Sequence, residues 1–198
     1  GGYEHFMLKE MYEQPKAILD TFSPRIKGND IVIEELGMSD EEIKAIRKIM
    51  IVACGSAYHA GVTAKYVMEG MARIPVETDL ASEFRYRDPI MGDGTLVVII
   101  SQSGETADSL AALREAKQRG AKVLELSMLS EVLSQERQIM PCIHGRDQRL
   151  RLRQQKAYSS QLIALYLLAM KFAFVRGKIT DSEMRGYIED LQKLPEQV

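Results

Sequence analysis

The chain has 198 residues, which is enough for one domain of ordinary size or for one domain with a helical extension. Hydrophobic residues make up 45% and charged residues 27%, as in soluble globular proteins, so no disulfide framework is needed to build a core. The net charge of -2 creates no overall field that favours nucleic acid or an anionic membrane. Only Cys54 and Cys142 occur, which excludes zinc-ligand spacing and favours a reducing cytoplasm. The longest apolar run, near residues 162–169, is too short to span a bilayer, so no membrane association is expected.

The first fifty residues are predicted to be mostly helical. Apolar residues recur at helical spacing over residues 3–27, with a break expected at Pro15, and this predicts an N-terminal helical extension. A further helix is predicted over residues 34–48, with Ser39 as its N-cap.

The middle of the chain alternates strands with helices. Residues 49–53 and 96–100 are continuous apolar runs, as expected for strands covered on both faces. The pattern predicts further strands over residues 74–78 and 122–126, and helical segments over residues 58–71, 82–87 and 106–119. In the last of these, Leu110 and Leu113 are expected on the buried face and Gly120 at the C-cap.

The chain is expected to end in two helices. Residues 159–176 predict a long apolar helix closed by Gly177, and a capping box of Thr180 and Glu183 opens an amphipathic helix over residues 183–194. Taken with the alternation before them, these elements predict an α/β, three-layer, flavodoxin-like fold. Its parallel sheet would have about five strands with helices on both faces, in addition to the N-terminal extension.

Two loops have the composition expected of a ligand site at the carboxyl ends of parallel strands. One is residues 54–57. The other, residues 101–106, supplies hydroxyl groups from Ser101, Ser103 and Thr106 and an amide from Gln102. Gly104 would let the backbone approach a ligand closely, and the start of the next helix favours an anion. The chain has neither a nucleotide P-loop nor a dinucleotide Gly-x-Gly-x-x-Gly run here, which favours a phosphomonoester. The alternative is that such a turn only caps a helix.

The run from Ser101 to Asp108 resembles the phosphate loop of SIS domains, in the form typical of the glutamine–fructose-6-phosphate aminotransferase family. Further segments resemble the same family: residues 2–10, 14–15, 53–56, 79–87, 110–117 and 156–162. The resemblance implies the first of the two SIS domains in the isomerase half of such an enzyme. Residues 1–30 would then be a helical linker following a glutaminase domain that this chain lacks, and residues 31–198 the SIS domain. The start at Gly1 is also expected of a piece of a longer protein.

The resemblance implies a set of substrate-binding residues. Phosphate contacts of the family fall here on four polar residues: Ser101, Gln102, Ser103 and Thr106. Those of the first loop fall on Gly55, Ser56 and Ala57, and Glu105 is a further candidate. The family usually has Cys-Gly-Thr-Ser in the first loop, so Ala57 lacks a hydroxyl whose hydrogen bond would contribute about 1 kcal/mol.

The implied reaction is the conversion of fructose 6-phosphate and glutamine to glucosamine 6-phosphate and glutamate. No catalytic residue of the family falls in this chain, because the N-terminal cysteine, the isomerase lysine and histidine and the closing tail lie in parts that the chain lacks. The isolated chain is therefore expected to bind a hexose 6-phosphate without turning it over, with no cofactor and no metal. A homodimer is expected, and no nucleic-acid partner.

Two other readings of the same loop are a stand-alone SIS sugar-phosphate isomerase or deglycase, and a sugar-phosphate sensor module of a transcription regulator. The first is disfavoured because the Gly1-Gly2-Tyr3 start resembles the junction after a glutaminase domain. The second is disfavoured because no helix-turn-helix segment is visible.

Residues 124–155 depart from the family pattern. Permissible codons read one nucleotide out of register restore a family-like sequence, which suggests a local frameshift entered near residue 124 and restored near residue 155. Arg149, Arg151 and Arg153 alternate with leucines in this stretch. A buried central strand would make such charges costly, whereas an edge strand could tolerate them.

Overall fold

The N-terminal extension consists of two short helices that lead into a hairpin. In the computed structural model, which describes residues 5–101, 107–129, 148–153 and 157–198, helix α1 spans Phe6–Tyr12 and α2 spans Gln14–Phe22. Pro15 lies in the first turn of α2, where a backbone N–H has no partner within the helix, so proline is tolerated there. The break predicted at Pro15 therefore falls two residues earlier, at Glu13 between the two helices. A 3-10 turn follows, and strands β1 (Ile26–Lys27) and β2 (Asp30–Ile31) pair antiparallel.

A five-stranded sheet forms the centre of the described part of the chain. Its neighbours lie in the order β4-β3-β5-β6-β7, and every neighbouring pair is parallel, as predicted. The strands are β3 (Lys48–Ala53), β4 (Val76–Leu80), β5 (Thr95–Ser101), β6 (Lys122–Leu129) and β7 (Gln148–Arg153).

Alternate residues of the central strands face two separate cores, which is why their sequences are apolar throughout. Ile49, Ile51, Leu96 and Val98 belong to the larger core, together with residues of α2 and of three longer helices. Those helices are α4 (Ser56–Ala72), α7 (Ala157–Val175) and α8 (Asp181–Gln197).

The smaller core lies on the other face of the sheet. There the intervening strand residues, such as Val52 and Val97, pack with α5 (Ala81–Phe84) and α6 (Ala107–Gln118). The three-layer prediction is therefore confirmed.

Both predicted helix caps are present. Ser39 caps α3 (Asp40–Lys44) in a capping box with Glu42, and Thr180 caps α8 in the same way with Glu183. Helix α3 is shorter than predicted because residues 34–36 form a separate 3-10 turn that ends at Gly37, where φ is 54°.

The buried face of α6 differs from the prediction. Its most buried residues are Ser109, Ala112 and Ala116, whereas Leu110 and Leu113 are only half-buried. Small side chains on the inner face let this helix lie close to the sheet, and the two leucines lie at its flanks.

Strand β7 pairs only with β6 among the described residues and so lies at an edge of the sheet. Of the two predicted placements, a central strand or an edge strand, residues 148–153 take the edge.

Helix α7 runs alongside α4 and makes its most extensive helix contact with it. The segment Tyr158–Val175 is long and apolar enough to cross a membrane by length and composition, but 61% of it is buried inside the domain. Just beyond the helix, the guanidinium of Arg176 donates to the carbonyl oxygen of Ala72 at the end of α4 (3.3 Å). The carboxyl-terminal ends of α4 and α7 therefore lie close together.

Candidate functional site

The strand order reverses between β3 and β5, and in doubly wound sheets such a reversal leaves a crevice at the carboxyl ends of the strands. From β3 the chain moves outward to β4, and then returns to place β5 on the opposite side of β3. The connections that follow these two strands therefore leave in opposite directions, and ligands of doubly wound sheets bind at such a reversal. In the β3–β5 ladder Ala53 pairs with Ile100, so Cys54 and Ser101 come next at the same edge.

The first predicted ligand loop lies at this edge and leads directly into α4. Gly55 is the N-cap of the helix, with φ 59° and ψ -137°, a conformation that residues with a Cβ rarely adopt. Both Gly55 and Ser56 are exposed, so the loop is accessible to a ligand. Ala57 is 2% exposed and belongs to the larger core, so the predicted residues of this loop divide between solvent and core.

The second predicted loop begins at Ser101, the last residue of β5. Ser101 is 4% exposed and pairs with Ser127 of the next strand, which is also buried. Helix α6 begins at Ala107, so the loop must connect the carboxyl end of β5 to a helix N-terminus. The other predicted phosphate residues, Gln102, Ser103, Glu105 and Thr106, lie outside the described residues.

A positively charged residue that the sequence reasoning did not single out lies beside the start of α6. The guanidinium of Arg85 is 3.9 Å from the carboxylate of Asp108 in the first turn of that helix. It also lies over the ring of Tyr86, 4.4 Å from its centroid. A hydrogen bond to the Tyr86 hydroxyl raises the pKa of Arg85, so the group stays charged. No sequence spacing pointed to it, because the turn after α5 brings it there.

The remaining charges near β4 form a separate network. The carboxylate of Glu77 accepts from Lys48 (2.9 Å) and Arg87 (3.4 Å), and Arg87 also pairs with Asp79. The hydrogen bond from Lys48 is the largest cause that lowers the pKa of Glu77, followed by the charge of Lys48 and the bond from Arg87. These groups satisfy one another and hold β4 to β3.

Two further features lie apart from the crevice. A cavity of about 460 Å³ lies at the amino edge of the sheet, lined by residues such as Arg47, Thr95 and Lys122, and so at the end opposite both loops. Within the described ranges, no group of three or more His, Cys, Asp or Glu side chains could hold a metal ion.

The sheet order defines a doubly wound α/β domain, and its candidate ligand site is the carboxyl edge where β3 and β5 end. The family model of the SIS domain matches residues 42–171, and the chain belongs to that family. The resemblance in the sequence is thereby confirmed.

The chain is similar over its whole length to glutamine–fructose-6-phosphate aminotransferases. It is 51% identical over 199 residues to that of Clostridium acetobutylicum, covering 99% of this chain and 32% of the relative. It is 48% identical over 201 residues to that of Caldanaerobacter subterraneus, covering 100% and 33%. The chain thus spans about one third of the length of these curated relatives.

Solved structures show the same fold. The C-terminal domain of glucosamine-fructose-6-phosphate aminotransferase from Francisella tularensis superposes with a TM-score of 0.82 at 32% identity, covering 98% of this chain and 55% of that one. The Vibrio vulnificus NanR protein complexed with ManNAc-6P has a TM-score of 0.58 at 14% identity, covering 97% of this chain and 70% of that one, a likeness of fold alone.

Proposed function

We propose that the chain is the first sugar-phosphate-binding SIS unit of a glutamine–fructose-6-phosphate aminotransferase. Its ligand would be a hexose 6-phosphate, either fructose 6-phosphate or glucosamine 6-phosphate. The observation that carries the proposal is that both ligand loops predicted from the sequence follow β3 and β5, the two strands at the reversal of the sheet order.

The phosphate is proposed to bind at the start of α6. Hydroxyl groups of Ser101, Ser103 and Thr106 and the amide of Gln102 would donate to its oxygens, together with N–H groups at the helix N-terminus. Most of these donors are neutral, so the helix dipole and the nearby guanidinium of Arg85 would offset the charge of the phosphate.

The first loop is proposed to close the site from the side of β3. The exposed hydroxyl of Ser56 and the backbone of Gly55 can reach a ligand in the crevice. The carboxylate of Glu105, in the second predicted loop, would accept a hydrogen bond from a sugar hydroxyl. Ala57 would contribute through its backbone only, because its side chain is buried in the core.

In the whole enzyme this unit would bind and orient the sugar phosphate, while other domains supply the chemistry. The reaction is the conversion of fructose 6-phosphate and glutamine to glucosamine 6-phosphate and glutamate. The proposal assigns no catalytic residue to this chain, so the isolated chain would bind without turnover. Residues 1–30 would link it to a glutaminase domain, and residues 31–198 would pair with a second SIS domain. We further propose a homodimer in the cytoplasm.

Isothermal titration calorimetry of the 198-residue chain with fructose 6-phosphate tests the proposal, with fructose as the ligand that lacks the phosphate. We expect binding of the phosphate ester only. Loss of one phosphate donor should weaken binding by about tenfold, as for a hydrogen bond to a charged group.

The variants for this test are Ser103→Ala and Ser56→Ala. The matched control is Ser182→Ala, an exposed serine in the first turn of α8 that no part of the proposal uses. An absence of heat with fructose 6-phosphate in the unaltered chain would refute the proposal.

A further inference from the structure

Two polar side chains near the start of α7 are completely buried. Ser160 and Gln161 are both 0% exposed. Among the residues that the structure describes, the Ser160 Oγ and both the Oε1 and Nε2 of Gln161 have no hydrogen-bond partner. Buried polar groups in native proteins are nearly always hydrogen-bonded, and leaving one unsatisfied costs free energy, so these three atoms require an explanation.

Helix register places these side chains at about the level of the first predicted ligand loop. The carboxyl-terminal ends of α4 and α7 lie within reach of the Arg176 side chain, which donates to the carbonyl oxygen of Ala72. Both helices follow parallel strands of one sheet and so run in the same direction. Fifteen residues back along each helix, about 22 Å at 1.5 Å per residue, lie Gln161 in α7 and Ala57 in α4.

The direction of the side chain agrees with this level. Gln161 shares a helix face with Ala164, Leu165 and Leu168, which are all 0% exposed and belong to the core that contains Ala57. Helical side chains also tilt toward the N-terminus of their own helix, which for α7 is the carboxyl edge of the sheet. This tilt directs the amide group toward the carboxyl edge of the sheet, where α4 begins after Gly55.

We infer that Gln161, assisted by Ser160, is a positioning residue of the sugar-phosphate site. Its amide becomes hydrogen-bonded to the backbone around Gly55, at the start of α4, when a hexose 6-phosphate binds there. The free state then carries an unsatisfied amide that the bound state satisfies, so ligand binding gains from it. The inference rests on the proposed function.

The substitution Gln161→Met tests this role because it keeps the length of the side chain and removes its polar atoms. In the free chain the melting temperature should stay equal or rise, since an unsatisfied buried amide is lost. The dissociation constant for fructose 6-phosphate should rise about tenfold, which corresponds to the loss of about 1.4 kcal/mol. A residue that only packs the core would leave that constant unchanged.

A matched control is Thr95→Val, which alters a buried hydroxyl at the opposite, amino edge of the same sheet. The Thr95 Oγ1 accepts from the N–H of Gly92 (3.1 Å), so its loss should lower the melting temperature and leave the affinity unchanged. Gln161→Met should thus weaken binding without lowering the melting temperature, whereas Thr95→Val should lower the melting temperature without weakening binding.

A spectroscopic measurement on the unaltered chain gives a second, independent readout. The side-chain amide signals of Gln161, assigned from its own backbone resonances by NMR, should shift on titration with fructose 6-phosphate and saturate with the calorimetric affinity. Ligand binding without that shift, or an unchanged affinity in Gln161→Met, would overturn the inference alone. Failure of the unaltered chain to bind would overturn the proposed function, and the inference with it.

Discussion

The substitution Gly61→Ala should disrupt the packing of α4 on the sheet. A Cβ atom at this position would lie 2.8 Å from the Cγ2 of Ile51 and 3.9 Å from the Cδ1 of Ile100. Carbon atoms are in favourable contact at about 3.5–4.0 Å, so the first distance is an overlap of about 0.7 Å or more. Ile51 is buried in β3, and its branched Cβ restricts χ1, so the methyl group cannot simply rotate away.

The magnitude follows from two opposed effects. Overpacking of this kind costs about 1–3 kcal/mol, whereas replacing glycine by alanine inside a helix stabilises it by about 1 kcal/mol. The net effect of Gly61→Ala should therefore be a loss of up to about 2 kcal/mol. Helix α4 offers a matched control in Gly70, which is exposed and has no atom within 4 Å of its ideal Cβ position.

Urea unfolding of the two alanine variants separates these effects. Gly70→Ala should gain up to about 1 kcal/mol, and the difference between the variants should equal the packing cost of about 1–3 kcal/mol, because the helix propensity cancels. The additional substitution Ile51→Ala should abolish most of that difference in a double-mutant cycle. Equal stabilisation by both alanine substitutions would show that α4 does not approach β3 as described.

Three other predictions concern the first ligand loop, the end of α7 and the response to acid. Gly55→Ala should cost about 1–3 kcal/mol of stability by urea unfolding, because alanine rarely adopts φ 59° with ψ -137°, and it should also weaken binding of fructose 6-phosphate. Arg176→Met should destabilise by about 2–4 kcal/mol, since the guanidinium donates to four carbonyl oxygens, and Arg176→Lys should recover only part of this. In the folded chain the pKa of Glu77 lies below its ordinary value of 4.5, so the Glu77 carboxylate stabilises the fold fully above pH 4.5 and progressively less as the pH falls below it. Glu77→Gln should therefore reduce the fall in unfolding free energy below about pH 4.5. An unfolding free energy of Gly55→Ala or Arg176→Met equal to that of the unaltered chain would contradict the first or the second prediction. An unchanged pH dependence below pH 4.5 in Glu77→Gln would contradict the third.

Much of the local structure could be predicted because it depends on residues close in the chain. The apolar runs at residues 49–53 and 96–100 become strands within one residue at each end. Ser39 is an N-cap and Thr180 opens a helix with a capping box, both as predicted. The composition of residues 54–57 likewise predicted the turn at Gly55 that follows β3 and opens α4. Each of these features can be predicted from a short run of residues, because it depends on hydrophobic patterning, a turn residue or a helix N-cap.

Other features depend on which segments meet, and local patterns could not predict them. Leu110 and Leu113 have helical spacing, yet Ser109, Ala112 and Ala116 face the sheet, because the close approach of α6 selects small residues. Arg85 comes beside the start of α6 only through the turn after α5. Ser160 and Gln161 read as ordinary polar residues at the start of a helix, yet the fold buries both of them completely.

The sequence by itself determined the α/β class, the strand–loop–helix units and the residue types at the two ligand loops. The tertiary structure decided the order of the strands, the edge position of β7 and the neighbouring positions of the carboxyl ends of β3 and β5. The physical reason is that a parallel strand satisfies its hydrogen bonds with any neighbour of suitable length and apolarity. Strand order is therefore selected by the packing of all the helices at once, and the sheet reversal that creates the site follows from that selection.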